Sequence, residues 1–204
     1  MLVGLVGAQR TGKTTLAKAC SKEYNIEFAE TSTSAVFKNL GYSPKIDYDF
    51  KTRMVIQNHI LDSAEEVYHG IKKEAIADRT PLDMLAYTLA DIRRENLSEA
   101  DNIAFKEYKD RCFNVTNDLF SSVILIQSGI PIKDEADKAP TGIGYMYHIE
   151  TIMKSLLVDE ALFIDSLIVK STVLNLKDRV DCVDYAIKSS WESLECLSIS
   201  KLKH

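Results

Sequence analysis

The sequence predicts a three-layer α/β/α protein built on a parallel five-stranded sheet, and three observations lead there. Short apolar runs of β type alternate with longer segments of helical periodicity. The first run, residues 2–6, passes directly into Gly7-Ala8-Gln9-Arg10-Thr11-Gly12-Lys13-Thr14 and then into a helix-forming stretch. A later run, Val123-Ile124-Leu125-Ile126, is apolar at every position, as a strand buried on both faces must be. Strands joined through helices pair in parallel, with helices covering both faces.

Taken in order, the first helix runs from the glycine-rich segment to about Tyr24, and residues 26–30 alternate as a second strand that ends in an acid. Thr31-Ser32-Thr33-Ser34 supplies N-cap hydroxyls for a short helix to Gly41, and residues 42–47, with Pro44, form a loop. Ile56, Ile60, Ala64, Val67 and Ile71 recur every three or four residues, which marks one face of a long helix over 48–71. Residues 74–78 form a third strand, again closed by an acid. Thr80-Pro81-Leu82-Asp83 then offers an N-cap, a proline in the first turn and an acid at the third helical position. Leu82, Leu85, Leu89 and Ile92 continue that helix.

Ser98-Glu99-Ala100-Asp101 opens the next helix, whose buried stripe is Phe105, Tyr108, Cys112, Val115 and Leu119. Residues 122–127 are the fourth strand. The charged stretch 129–144, with Pro131 and Pro140, is a loop. A helix over 145–157, a fifth strand around 161–164 and a last helix over 174–187 complete the pattern.

The chain has 204 residues, enough for one substantial core, so 1–204 is expected to be a single domain. Its net charge of −5 argues against a protein that holds duplex nucleic acid through phosphate contacts. Cys20, Cys112, Cys182 and Cys196 form no C-x-x-C pair, as expected of thiols in a reducing compartment. No targeting segment is recognisable and the apolar runs are too short to span a bilayer, so the protein is expected to be cytoplasmic, with no membrane partner. A homodimer is compatible with the sequence, which carries no pattern that sets the oligomeric state.

The segment G-x-x-x-x-G-K-T between a strand and a helix is a phosphate-binding loop. Gly7 and Gly12 let the backbone turn. The main chain of Ala8, Gln9, Arg10, Thr11, Gly12, Lys13, Thr14 and Thr15 is expected to cradle a nucleoside triphosphate against the helix N-terminus. Lys13, expected to be exposed to ligand, reaches the β- and γ-phosphates, and the Thr14 hydroxyl helps to hold Mg²⁺. Ligands of parallel sheets bind beyond the carboxyl ends of the strands, where Gly7, Glu30, Asp78 and Gln127 are all expected. An acid such as Asp78 holds Mg²⁺ there, and Arg79 neutralises charge on the phosphoryl group in flight.

With these residues the sequence resembles the P-loop nucleoside and nucleotide kinases, a P-loop NTPase fold with a lid segment. Asp78-Arg79-Thr80 is similar to the acid-Arg-Ser/Thr/His motif that deoxynucleoside and thymidylate kinases carry after the third strand. Asp78-Arg79-Thr80-Pro81-Leu82-Asp83, with Ala86-Tyr87, looks most like nicotinamide-riboside-kinase-like domains and small phage-type kinases. The resemblance covers residues 1–92 well. It implies ATP and Mg²⁺ as cofactors and a small nucleoside or deoxynucleoside monophosphate as acceptor. Glu30 is implied as the base that takes the proton of a substrate hydroxyl, or as a sugar-orienting group if the acceptor is a monophosphate. Gln57 is implied as a reader of the base, and Arg53, one turn earlier, as a contact for a phosphate or sugar.

Residues 129–144 resemble a kinase lid by position, but they offer Lys133 and Lys138 where nucleotide kinases place arginines. Lysine lacks the guanidinium fork, so Arg79 and Arg10 are left to grip phosphate bidentately. Arg93-Arg94 at a helix end complements the helix dipole. Two further functions stay open: phosphorylation of a hydroxyl on DNA or on a modified base in DNA, and a regulatory ATPase or switch that is not a kinase.

Overall fold

The structure, a computed structural model, describes residues 1–92, 96–131 and 142–201, with backbone alone over 189–201. Lys133, Lys138, Arg93 and Arg94 lie outside the described residues. Five strands form one parallel sheet in the order β2-β3-β1-β4-β5. They are β1 Leu2–Val6, β2 Glu27–Ala29, β3 Ala75–Ala77, β4 Ser122–Ile126 and β5 Asp165–Val169. The helices are α1 Lys13–Tyr24, α2 Thr33–Asn39, α3 Phe50–Gly70, α4 Pro81–Asp91, α5 Glu99–Leu119, α6 Ile143–Leu157 and α7 Leu176–Lys201. Among the described residues no helix is long and apolar enough to cross a membrane.

Strand alternation sorts the core into two layers. Val3 and Leu5 of β1, Ile76 of β3, and Ile124 and Ile126 of β4 face α1 and α7, packing on Leu16, Ala17, Cys20, Val183 and Ala186. Leu2, Val6, Ala75, Ala77, Val123 and Leu125 face the opposite way, onto side chains of α2 to α6. Both faces of β1 and β4 are therefore buried, which is why these strands are apolar at successive positions.

The helix starts follow local chemistry. The Asp49 carboxylate accepts from the Thr52 N–H at 2.9 Å and opens α3. Ser98 caps α5 by accepting from the Asp101 N–H at 3.2 Å. At α4 the capping box is complete, with Thr80 Oγ1 accepting from the Leu82 N–H and Asp83 Oδ2 accepting from the Thr80 N–H.

Most boundaries fall within two residues of the sequence expectation, and the larger differences are at the fifth strand and the last helix. The fifth strand is Asp165–Val169, not 161–164. Asn117 of α5 donates to the Ala161 carbonyl and accepts from the Phe163 N–H, both at 2.8 Å, so the side chain of a helix satisfies the backbone of that apolar run. Pairing begins only where Asp165 meets Ser122, and its polar start suits an edge strand. Helix α6 starts two residues early, at Ile143. Helix α7 runs from Leu176 to Lys201, where the last helix was expected over 174–187.

Gly4 sits where β1 crosses the start of α4. A Cβ there would overlap the Thr80 methyl and lie 2.9 Å from the Phe120 ring. Gly4→Ala is expected to lower unfolding free energy in urea by about 1–3 kcal/mol through overpacking.

Candidate functional site

The loop between β1 and α1 takes a shape that only its glycines permit at two points. Gly7 has φ 154° and a Cβ on it would stand 2.6 Å from the Ile126 carbonyl oxygen, while Gly12 has φ 83°. Arg10, at φ 63°, adopts the left-handed region despite its side chain, a local strain of the kind found where a loop is shaped for a ligand.

Side chains fix this loop by its outward carbonyls. Lys13 Nζ donates to the Gly7 and Ala8 carbonyls at 2.6 and 2.9 Å, and Thr11 Oγ1 donates to the Ala8 carbonyl at 3.0 Å. Lys13 is thus buried, at 7% exposure, where the sequence suggested an exposed lysine. Its alkyl stem threads the loop's own curve, which positions the ammonium beneath the turn before any phosphate arrives. Burial lowers its pKa to about 8, with Asp83 opposing the shift and Arg79 adding to it.

Asp78, expected to hold a metal, lies at the end of β3 beside the loop. Thr14 Oγ1 donates to Asp78 Oδ2 at 2.8 Å, and Asp78 Oδ1 is buried with no partner. A hydroxyl and a carboxylate in contact, with a spare buried oxygen, fit the few protein ligands that Mg²⁺ takes when phosphates and water complete its shell. Arg79 follows. Its carbonyl accepts from Tyr68 Oη at 3.0 Å, and its charge acts on Lys13, Asp83 and Tyr87.

Asp83 was legible as a helix cap but does more. The side chain is fully buried, and its Oδ1 accepts from the Gly7 N–H at 3.3 Å while Oδ2 holds the N-terminus of α4. One carboxylate therefore ties the phosphate loop to the next crossover. Burial raises its pKa, opposed by Lys13 and Arg79.

Sheet register puts Glu30 level with Asp78, because Ala29 pairs with Ala77. Glu30 is exposed and pairs with Lys18 at 3.9 Å, on the α1 side where Lys18 also covers the Phe28 ring. Gln127 reaches the same rim, but as a structural tie: its amide donates to Glu150 Oε1 and its carbonyl oxygen accepts from the Ser171 N–H, joining β4 to α6 and to the segment after β5. Arg53 and Gln57 come together in a separate cavity of about 270 Å³ with Phe37, Tyr48, Ile56 and Asp91. Arg53 Nη1 donates to the Asp91 carbonyl at 2.9 Å and stands 4.0 Å from Asp47, and Gln57 Oε1 accepts from Tyr108 Oη at 3.5 Å.

Helix α4 links the two places. Asp83, Tyr87 and Asp91 succeed one another at intervals of four residues, so one face of α4 runs from the loop to the cavity over about 12 Å. Among the described residues six buried side-chain polar atoms lack a hydrogen-bond partner. Thr31 Oγ1, Asp78 Oδ1, Tyr87 Oη, Ser128 Oγ and Arg179 Nη2 belong to segments that follow β2, β3 and β4 or that pack at this loop; only Ser122 Oγ is at the other end of the sheet. Tyr87 Oη lies by Arg79 and the Gln9 main chain and Thr31 by Tyr68, so Asp78 Oδ1, Ser128 Oγ and Arg179 Nη2 are the groups at this rim with spare polar capacity, which suits a polar ligand. Arg179 carries no motif, and Tyr87 entered only through the resemblance of Ala86-Tyr87, with no role assigned. The available signal was an arginine on the apolar stripe of the last helix, beside Val180 and Val183.

Two outcomes follow from the buried charges. Asp83→Ala is expected to cost about 3 kcal/mol in urea unfolding, because it strips the acceptor from the Gly7 and Thr80 N–H groups and leaves Lys13 less compensated. Because burial lowers the Lys13 pKa to about 8, its positive charge is present below that pH and is lost progressively as pH rises through it. The affinity for ADP, measured by calorimetry, should fall by about tenfold one pH unit above that point, with proton uptake on binding.

A family model described as an AAA domain matches residues 2–123, more than half of the chain. Among curated proteins none matches the sequence. The structure is similar to that of deoxyadenosine kinase from M. mycoides with bound dCTP, with a TM-score of 0.63 and 18% identity over 93% of this chain and 100% of that one. The same kinase with the products dCMP and a flexible dCDP gives a TM-score of 0.65 at 16% identity, over 93% and 99% of the two chains. NadR in complex with NAD and AMP-PNP gives 0.58 at 15% identity, over 89% of this chain and 48% of that one. At these identities the likeness is one of fold. The chain belongs to the AAA-domain family, and its parallel sheet and flanking helices have the fold of the P-loop nucleoside kinases.

Proposed function

We propose that the protein transfers the γ-phosphoryl group of ATP to the hydroxyl of a small nucleoside, with a nucleoside monophosphate as the alternative acceptor. The observation that carries the proposal is the Thr14–Asp78 pair beneath the phosphate loop, at the other end of α4 from a cavity that holds Arg53 and Gln57. Donor and acceptor places on one rim are what a two-substrate transfer needs. The similarity to deoxyadenosine kinase and NadR supports the same reading.

In this proposal the backbone of residues 7–15 cradles the triphosphate and Lys13 moves its ammonium from the Gly7 and Ala8 carbonyls onto the β- and γ-oxygens. Thr14 and Asp78 would hold Mg²⁺, which when bound neutralises charge on those oxygens. Arg79 stabilises the charge that develops on the transferring group. Arg53 and Gln57 hold the acceptor. In the cavity Lys45 and Arg53 stand against Asp47 and Asp91, and Arg53 is engaged by Asp47 and the Asp91 carbonyl. That balance favours an uncharged nucleoside over a dianionic monophosphate. Glu30 is the proposed base, since its ion pair with Lys18 is a weak one between exposed groups.

Incubation with ATP and Mg²⁺ and a panel of nucleosides and monophosphates should give ADP only when an acceptor is present. Equal ADP release without any acceptor would refute transfer and favour a switch. Lys13→Ala should lower turnover by about 10²-fold or more. Glu30→Gln should lower kcat for a nucleoside while leaving ATP affinity within about twofold. Asp78→Asn should raise the Mg²⁺ concentration needed for half-maximal rate, and an unchanged metal titration would remove Asp78 from the site.

A further inference from the structure

Arg179 projects from α7, an element that the sequence motifs do not implicate, against the phosphate loop at Thr11 and Gly12. It is 1% exposed, which makes it one of the largest fully buried side chains. Nε donates to the Val173 carbonyl and Nη1 to the Thr11 carbonyl, both at 2.7 Å. The Nη1 atom also stands 3.4 Å from where a Cβ on Gly12 would be, so the guanidinium lies directly against the turn that begins α1. Nη2 is buried and donates to nothing.

Two neutral carbonyls do not balance this charge. Among the described residues no carboxylate pairs with it, although arginine keeps its proton even here. A buried cation without an anion is destabilising unless a counter-charge arrives. The neighbouring loop and the N-terminus of α1 are built to receive an anion. The chain has thus placed a further, permanently charged donor beside the loop, on a different element from Lys13, with the Nη2 amino group left over.

We infer that Arg179 is a further cationic ligand for the polyphosphate of the bound nucleotide, its Nη2 donating to a phosphate oxygen while Nε and Nη1 hold the guanidinium against the loop. The inference rests on the proposed nucleotide binding and adds to it a residue that couples α7 to the donor phosphates. It also supplies, from the C-terminal helix, a positive charge that the sequence between residues 129 and 144 offers only through Lys133 and Lys138.

The test is equilibrium binding of ADP and of inorganic tripolyphosphate to the full chain by calorimetry, over a range of salt concentration. Arg179→Met should weaken both at least tenfold and flatten the salt dependence, because one interacting charge is gone. Arg179→Lys separates charge from the carbonyl ties: it should stay within about threefold of the parent protein if the charge matters. Binding of ADP to Arg179→Met within twofold of the parent overturns the inference. So does an Arg179→Lys loss as large as that of Arg179→Met with unaltered salt dependence, which would make the residue a structural tie only. If Arg179→Met does not fold, the Arg179→Lys affinity and salt slope decide. Failure of the parent protein to bind ADP or ATP at all would instead refute the proposed function.

Discussion

A loop that offers its amides to an anion must find partners for its carbonyls elsewhere, and this constraint organises the whole rim of the sheet. The Gly7 and Ala8 carbonyls take the Lys13 ammonium, Ala8 also takes the Thr11 hydroxyl, Thr11 takes Arg179, and Gly12 takes the Leu16 N–H. Each donor arrives from a different depth of the fold. Lys13 and Thr11 belong to the turn itself, whereas Arg179 comes from a helix 168 residues away in sequence. The loop keeps its shape because those outward bonds are made, and the glycines at 7 and 12 permit the shape without supplying its stability.

Asp83 is the counterpart on the amide side. By accepting from the Gly7 N–H and from the α4 N-terminus together, it makes the position of the loop depend on the position of α4. The other end of α4 bounds the cavity where Arg53 meets the Asp91 carbonyl. The loop and the cavity are thereby held at a fixed separation by one helix, as the proposed transfer between a donor and an acceptor requires. Glu150 plays a comparable part beyond β4, where it accepts from Ser128 and Gln127 and pairs with Lys154.

Burying Lys13, Asp83 and Arg179 at one rim runs against stability. Desolvation lowers the pKa of Lys13 and raises that of Asp83, which are the directions that would discharge both. The fold bears this because β1 and β4 are buried on both faces and because α1 and α7 close the layer behind the loop. Asp78 Oδ1, Ser128 Oγ and Arg179 Nη2 stay unpartnered along that rim, as the proposed binding of a phosphate-rich ligand there would require.

The layer order, the parallel sheet, the phosphate loop and the Thr80 cap were determined by the sequence, since each depends on residues within a few positions of one another. Apolar alternation, glycine spacing and a proline in the first turn act locally, and local physics can be read in order. The fifth strand could not be placed in that way. Residues 161–164 are more apolar than 165–169, yet Asn117 satisfies the backbone of the first run and Ser122 selects the second. In the same way Asp78 was recognisable from its neighbours, while the second bond of Asp83, the retreat of Gln127 into a structural role and the approach of Arg179 were decided only by tertiary structure. Each of these rests on a hydrogen bond between segments far apart in the chain, and no periodicity records which carbonyl a buried side chain will meet.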